Sequence, residues 1–409
     1  MHSSRTQQAV AAAGARAVDA FADQIFGYLP RADQRRWARV YLSGLLFTEG
    51  RKSMRRLAES VSASPTAWYS LQQFINSSPW EWEPARHALT DWIEQRSSVR
   101  ATTVTPVTLP KRGGHSVGVH RRFVPSAERT LNCQVGIALF ISCPGANFPV
   151  DWRLFLPRQW TDDSELRQRT RIPDTEVFQP QWRHMLDLIS GPAAAVSSPR
   201  TPVVADMSDA TDLGELIAGL DRSRRDFVVA VHPRLLAPGE NRAPADPLSR
   251  ARREPDGRAV TGAVTGADSY RTWSPHTATV TRADGTFRQA HVRSILLRPT
   301  AADARQAGPD RQVYRLFAEF ADGRPDSRVW LTNLVHHRLD ELLEFIRCYL
   351  SSAITADCLD ERFDLLDFAG RSFPAWHHHM TMASAAYAYL RLGSAGQPPE
   401  PSYAGQRSA

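Results

Sequence analysis

The run from Cys133 to Cys143 (CQVGIALFISC) constrains the fold of this chain more than any other segment. It is strongly β-prone, and it is far shorter than the roughly 18 to 20 apolar residues that a membrane-crossing helix needs, so it reads as a strand. Its neighbours share that texture: Thr102 to Leu109, Ser116 to His120 and Val150 to Leu156 also read as strands. A helix is predicted around Trp182 to Ile189, and then a short apolar run, Pro202 to Ala205, ends at Asp206. A helix over Leu213 to Leu220 and a strand over Phe227 to Val231 follow. Strands, then helix, strand, helix and strand describe an α/β fold: a mixed sheet covered by helices.

Ahead of this region, Val10 to Arg96 has helical periodicity. Trp37, Val40, Tyr41 and Leu45 fall on one face, and the pattern resumes after breakers at Ser62 to Pro65 and Ser77 to Pro79. Beyond the core strands, the chain becomes rich in Pro, Arg, Asp and Gly, with strand patches at Ala278 to Thr281 and Arg288 to Leu297 joined near Ala283-Asp284-Gly285. Val313 to Phe320 and Arg328 to Leu331 return to strand, Leu339 to Leu350 is helical, and Trp376 to Leu392 closes the fold. The expected organisation is a helical N-terminal domain over 1–100, a core in two parts (101–232 and 313–392), an inserted β and loop module over 233–312, and a disordered tail over 393–409.

Charge gives a direction. Fifty Lys and Arg stand against 43 Asp and Glu, a net +7, and all the lysine is Lys52 and Lys111. An arginine-rich balance of this kind suits phosphate backbones. The run Arg51, Lys52, Arg55, Arg56 either faces phosphates or forms a solvated helix face. Four cysteines, Cys133, Cys143, Cys348 and Cys358, lie too far apart for a zinc ribbon and are too few to staple 409 residues, so they read as reduced thiols. The alanine-rich start is broken by Arg16 and Asp19 and lacks the apolar core of a signal peptide, which points to the cytoplasm. No nucleotide-binding glycine loop and no Gly-x-Ser-x-Gly elbow is present.

Seven blocks carry a resemblance: LQQFINSSPWEW at 71–82, PKRGGHSVGV at 110–119, NCQV at 132–135, FPVDWRLFLPRQWTDD at 148–163, VVAD at 203–206, WLTN at 330–333 and GRSFPAWHHH at 370–379. In this order they resemble the DDE transposases of bacterial insertion sequences. The resemblance implies an RNase H-like mixed sheet flanked by helices, a helical N-terminal domain that binds DNA, an inserted β-rich module, and three acidic residues holding two Mg²⁺ ions. Such ions activate the attacking oxygen and stabilise the leaving one, and carboxylates are needed to hold them together against mutual repulsion.

The acids do not match the family pattern. Counting back from Pro110-Lys111-Arg112-Gly113, the places for the first acid hold Thr105 and Pro106, and Thr102 to Leu109 contains no carboxylate. Asp206 matches the second acid but is followed by Met207-Ser208-Asp209-Ala210 in place of the usual tyrosine and glycine. Counting back from Gly370-Arg371-Ser372, the third falls on Ala353, and the basic residue two helical turns later falls on Asp360. Asp357 lies one turn after Ala353 and could serve as a displaced acid. In the insert, the resemblance implies a tryptophan near the position held here by Arg282, a further departure from the family pattern.

Other constellations read as structural. His377, His378 and His379 cannot all face one ion, because adjacent helical residues point about 100° apart. His336-His337 carries no stronger signal, and Asp151, Asp162 and Asp163 sit among structural neighbours in their block.

The sequence therefore predicts a transposase-like chain with Asp206 as the remnant of its catalytic and metal site, replaced at Thr105 and Ala353. No cofactor is expected, Mg²⁺ entering only in so far as the residual site still holds it. DNA is the expected partner, through Arg51, Lys52, Arg55, Arg56, Lys111, Arg112, Arg121 and Arg122, with Arg250, Arg252 and Arg253 of the insert. No membrane association is expected, and a homodimer stays open. Two alternatives remain at this stage: an active transposase using Asp209, Asp357 or Asp360, and a scaffold recruited to small-molecule work with its old cleft as the pocket.

Overall fold

The computed structural model describes residues 2–62, 64–124, 127–195, 201–207, 213–231, 251–253, 273–281, 285–299, 313–321, 324–325, 328–363, 365, 368 and 370–393. The N-terminal region is α1 (His2–Phe26), α2 (Ala32–Phe47), α3 (Met54–Val61), α4 (Ala67–Asn76) and α5 (Glu83–Glu94). Local chemistry sets these boundaries: the Ser53 hydroxyl caps α3 by accepting from Arg56 N at 3.4 Å, and Pro84 occupies the first turn of α5.

The chain then forms β1 (Ala101–Pro110), β2 (His120–Val124), β3 (Arg129–Cys143) and β4 (Ala146–Leu154). Short helices follow, α6 (Arg158–Asp162), α7 (Ser164–Thr170), α8 (Gln181–Ser190) and α9 (Pro192–Ala195), and then β5 (Val203–Asp206), α10 (Leu213–Arg222) and β6 (Phe227–Val231). The remaining strands are β7 (Ala251–Arg253), β8 (Ser274–Thr281), β9 (Phe287–Pro299), β10 (Tyr314–Ala321), β11 (Arg324–Pro325) and β12 (Val329–Thr332). Two long helices, α11 (Leu339–Phe363) and α12 (Phe373–Ala388), close the fold, the second running into a π-helical turn at Tyr389–Gly393.

The sheet runs β2-β3-β1-β5-β6-β12-β10-β9-β7, with β4 and β8 paired to β3 and β9. β3 is antiparallel to both β1 and β4, whereas β1, β5 and β6 are parallel. This is the mixed, helix-flanked sheet expected of an RNase H-like core. The hairpin predicted within the insert is β8 and β9, and it continues the same sheet through β10.

Period-two alternation sorts the strands between two cores. Val203, Ala205, Phe227, Val229 and Val231 face a large core built with α8, α10, α12 and the N-terminal helices. Val204, Val228 and Ala230 face a smaller one closed by Leu342, Leu343 and Ile346 of α11. The first core is continuous from Val18 of α1 to Ala388 of α12, so the N-terminal helices and the sheet share one interior. α12 is buried almost all round, packing on β4, α2, α4 and α5, as a helix of Ala, Met, Trp and His can when no charged residue interrupts it.

Two local expectations change. Ser116 to Gly118 is a turn, and its strand starts only at His120: Gly118 adopts φ +75°, and Val117 N donates to Arg371 O at 3.1 Å instead of to a ladder. The helix predicted over Leu339 to Leu350 continues to Phe363. The tail beyond residue 393 lies outside the described residues. Among the described residues no helix is long and apolar enough to cross a membrane.

Candidate functional site

β1 and β5 run side by side, pairing Thr102 with Val203, Thr103 with Val204 and Val104 with Ala205. The next residues in that register are Thr105 and Asp206. Because Val104 and Ala205 point into the large core, Thr105 and Asp206 point the other way, beneath α11. Two positions far apart in sequence, both singled out by the motif blocks, thus become neighbours.

Asp206 is engaged by side chains from α11 and from the approach to β12. Tyr349 of α11 donates its hydroxyl to Asp206 Oδ2 at 2.8 Å, and Arg328, just before β12, approaches the same oxygen through Nε at 2.9 Å. The Arg328 guanidinium also lies over the Tyr349 ring, 5.6 Å from its centroid. Burial, and then the Asp206 carboxylate, push the Tyr349 phenol well above the ordinary tyrosine range, so it remains a donor; the Thr105 hydroxyl hydrogen-bonds to it in turn. The Asp206 side chain is only 11% exposed and that of Arg328 32%.

This donor set does not fit a pair of divalent ions. Among the described residues the Asp206 carboxylate faces the Arg328 guanidinium, with the Tyr349 phenol and the Thr105 hydroxyl beside it. A divalent ion about 4 Å from the guanidinium would meet repulsion on the order of several kcal/mol at an effective protein dielectric near 20. Among the described residues no group of three His, Cys, Asp or Glu side chains is placed to hold a metal.

Ala353, where the third acid was expected, is exposed, one turn beyond Tyr349 on α11. Asp357 is exposed a further turn along, about 12 Å from the level of Tyr349 at 1.5 Å per residue, and Asp360 is half-buried beyond it. Asp209, Arg250 and Arg282 lie outside the described residues, and Arg252 and Arg253 fall in the edge strand β7. The sequence reading missed Arg328 and Tyr349. Tyr349 had a usable signal, since it stands four residues before Ala353 and a slip of four keeps a residue on the same helix face. Arg328 had none, because nothing local shows that the start of β12 meets the end of β5.

The predicted basic residues divide into two groups. Lys111 and Arg121 flank Asn132 of β3: Lys111 N donates to Asn132 O at 2.8 Å, Arg121 pairs with Asn132 across the β2–β3 ladder, and Asn132 Nδ2 holds Gly113 O at 2.7 Å. Arg112 and Arg121 are exposed, Arg122 follows on β2, and the neighbouring Phe123 is 58% exposed, so this end of the sheet is both cationic and aromatic. The second group surrounds the start of α3. There Arg55 pairs with Glu59 at 2.9 Å, Arg56 donates to Glu49 O at 3.0 Å, Lys52 donates to Thr48 O, and Arg51 is exposed.

The remaining motif residues have structural partners. Asp151 is buried against Arg86, Asp163 caps α7 by accepting from Leu166 N at 2.9 Å, and Asp162 accepts from the Thr161 hydroxyl at 3.0 Å. Each histidine of the triple stacks on its own aromatic ring, His377 on Trp82 at 4.4 Å, His378 on Trp80 at 3.9 Å and His379 on Phe368 at 4.1 Å. They point to different partners, as the helical geometry required, and serve packing.

Comparison with known proteins agrees with the motif blocks. The family model described as DDE superfamily endonuclease matches residues 24–299. Among solved structures, the chain is similar to a piggyBac transposase, seen by cryo-EM in a synaptic complex with hairpin DNA, with a TM-score of 0.40 and 10% identity. That match covers 89% of this chain and 66% of the transposase, just under two thirds of its length. No curated protein matches the sequence.

Proposed function

Because the chain belongs to the DDE superfamily endonuclease family, in which cutting rests on acidic residues, we propose that it has kept the transposase body as a DNA-binding or regulatory protein and has given up metal-dependent strand cleavage. One observation carries this reading: among the described residues, Asp206 is the carboxylate at the β1–β5 junction, and it is already paired with Arg328 and capped by Tyr349, while Thr105 stands where the family pattern has an acid. Phosphodiester cleavage by two metals requires a site of strongly negative charge, and here the Asp206 carboxylate is paired with the Arg328 guanidinium. A domesticated pseudoenzyme of this kind needs no resident ion. DNA is held by its backbone, through Lys111, Arg112, Arg121 and Arg122 at the end of the sheet and the basic start of α3.

The test pairs two assays on the full chain. Gel-shift titration is expected to show duplex binding that weakens steeply with salt, the log–log slope falling by about one for each of Arg121 and Arg122 changed to alanine. Supercoiled plasmid in Mg²⁺ or Mn²⁺ is expected to stay intact. Nicking that disappears in Asp206→Ala would show that Asp206 still cuts, and would overturn the loss of cleavage without touching DNA binding.

A further inference from the structure

The outward face of α4 has a composition that the fold itself does not require. Ala67, Leu71, Phe74 and Ile75 anchor the helix to the core. On the opposite side Tyr69, Gln72, Gln73 and Asn76 follow the i, i+3, i+4, i+7 spacing of a single face. Tyr69 is 55% exposed, and beside it Trp68 is 42% exposed, the two rings meeting edge to face at 6.0 Å. The face carries no charge. Among the described residues the exposed Gln72 and Gln73 amides have no hydrogen-bond partner in the chain.

This face lines an open groove of about 570 Å³, whose far wall is Arg171, Arg371 and Ser372. Arg171 is tied to the end of α4 through a bond to Asn76 O, and Arg371 is exposed. The other flank of α4 is α3, which packs on both α4 and α2 and carries Arg55 and Arg56. Two short helices, separated by five residues and braced by a third, thus present amides and an aromatic ring between two sets of guanidiniums.

We infer that α4 enters the major groove of duplex DNA and reads base edges through Gln72, Gln73 and Asn76, with Arg171 and Arg371 on the phosphates. The assignment rests on the DNA-binding reading above. A carboxamide offers one donor and one acceptor in a plane, the complement of the adenine edge in that groove, whereas a guanidinium is the better partner for phosphate. A helix of ten residues is about 15 Å long, and the B-form major groove, about 12 Å wide, admits a single helix. Carboxamides at the point of contact supply sequence preference; the arginines around them supply affinity for any sequence.

The experiment selects bound duplexes from a pool of randomised 20-base-pair DNA with the full chain, then compares the selected duplex with a scrambled one. Wild type is expected to prefer the selected, adenine-containing duplex, and Gln72→Ala/Gln73→Ala/Asn76→Ala to lose that preference by about tenfold or more while retaining its melting temperature and its binding to the scrambled duplex. Gln73→Arg, a gain of function at an exposed position, is expected to shift selection toward guanine. If the triple variant keeps the wild-type preference, or if single strands of the same sequence bind better than duplex, α4 is not the reading element and the DNA-binding proposal stands alone. If no duplex binds at low salt, both fall together.

Discussion

Arg86→Ala is expected to destabilise the protein by about 3 to 5 kcal/mol, the cost of leaving a buried charge without its partner. Arg86 is 2% exposed, and each part of its guanidinium is used. Nη1 donates to Asp151 Oδ1 at 2.6 Å and to Trp152 O at 2.9 Å, Nε donates to the Thr381 hydroxyl at 2.9 Å, and Nη2 reaches His377 Nδ1 at 3.1 Å. One side chain of α5 therefore ties the N-terminal helices to β4 and α12. Removing it strands the Asp151 carboxylate in the interior, which is why the double change Arg86→Met/Asp151→Leu is expected to cost less than the single one. Urea unfolding at neutral pH measures both; an Arg86→Ala protein within 1 kcal/mol of wild type, on the order of one hydrogen bond, would show the network to be dispensable.

Acid is expected to unfold the protein well above the pH at which carboxylates titrate. Imidazoles in an unfolded chain have a pKa near 6.5. In the fold, burial, with the Arg153 charge, holds His184 down at about 4, and burial, with Lys111, holds His379 down at about 3. His377 is pushed well below its ordinary value by burial and then by the Arg86 guanidinium, and its Nδ1 can only accept from that donor, so its ring is neutral. Between pH 6.5 and about 4 the unfolded chain binds protons that the folded chain cannot. Stability is therefore complete above 6.5 and lost as the pH falls. At pH 5 the loss is about 2 kcal/mol at most for each of His184 and His379. Denaturant midpoints at pH 7.5, 6 and 5 test this; a midpoint unchanged down to pH 5 would contradict neutral, buried rings.

The same residues show how far the sequence could be read. The strand at Cys133–Cys143, the short strand ending at Asp206 and the hairpin now seen as β8 and β9 were legible because alternation and turn chemistry are local. The turn at Ser116 to Gly118 was not, since its geometry depends on a bond from Val117 to Arg371, far along the chain. In the site, Thr105 and Asp206 could be identified from their distances to neighbouring motifs. Tyr349 and Arg328 needed the packing of α11 and β12 against β5 before they acquired any meaning.

By itself, then, the sequence determined the kinds of elements, their order, the absence of a carboxylate in Thr102 to Leu109 and the spacing that keeps three adjacent histidines off one ion. Those are properties of nearest neighbours and of helix and strand periods. Tertiary structure alone decided that Arg86 is an interior cation, that the N-terminal helices share a core with the sheet, and that Asp206 is paired with an arginine 122 residues later. The reason is physical: a side chain's charge is written in the sequence, but what that charge is worth depends on burial and on partners brought near by folding.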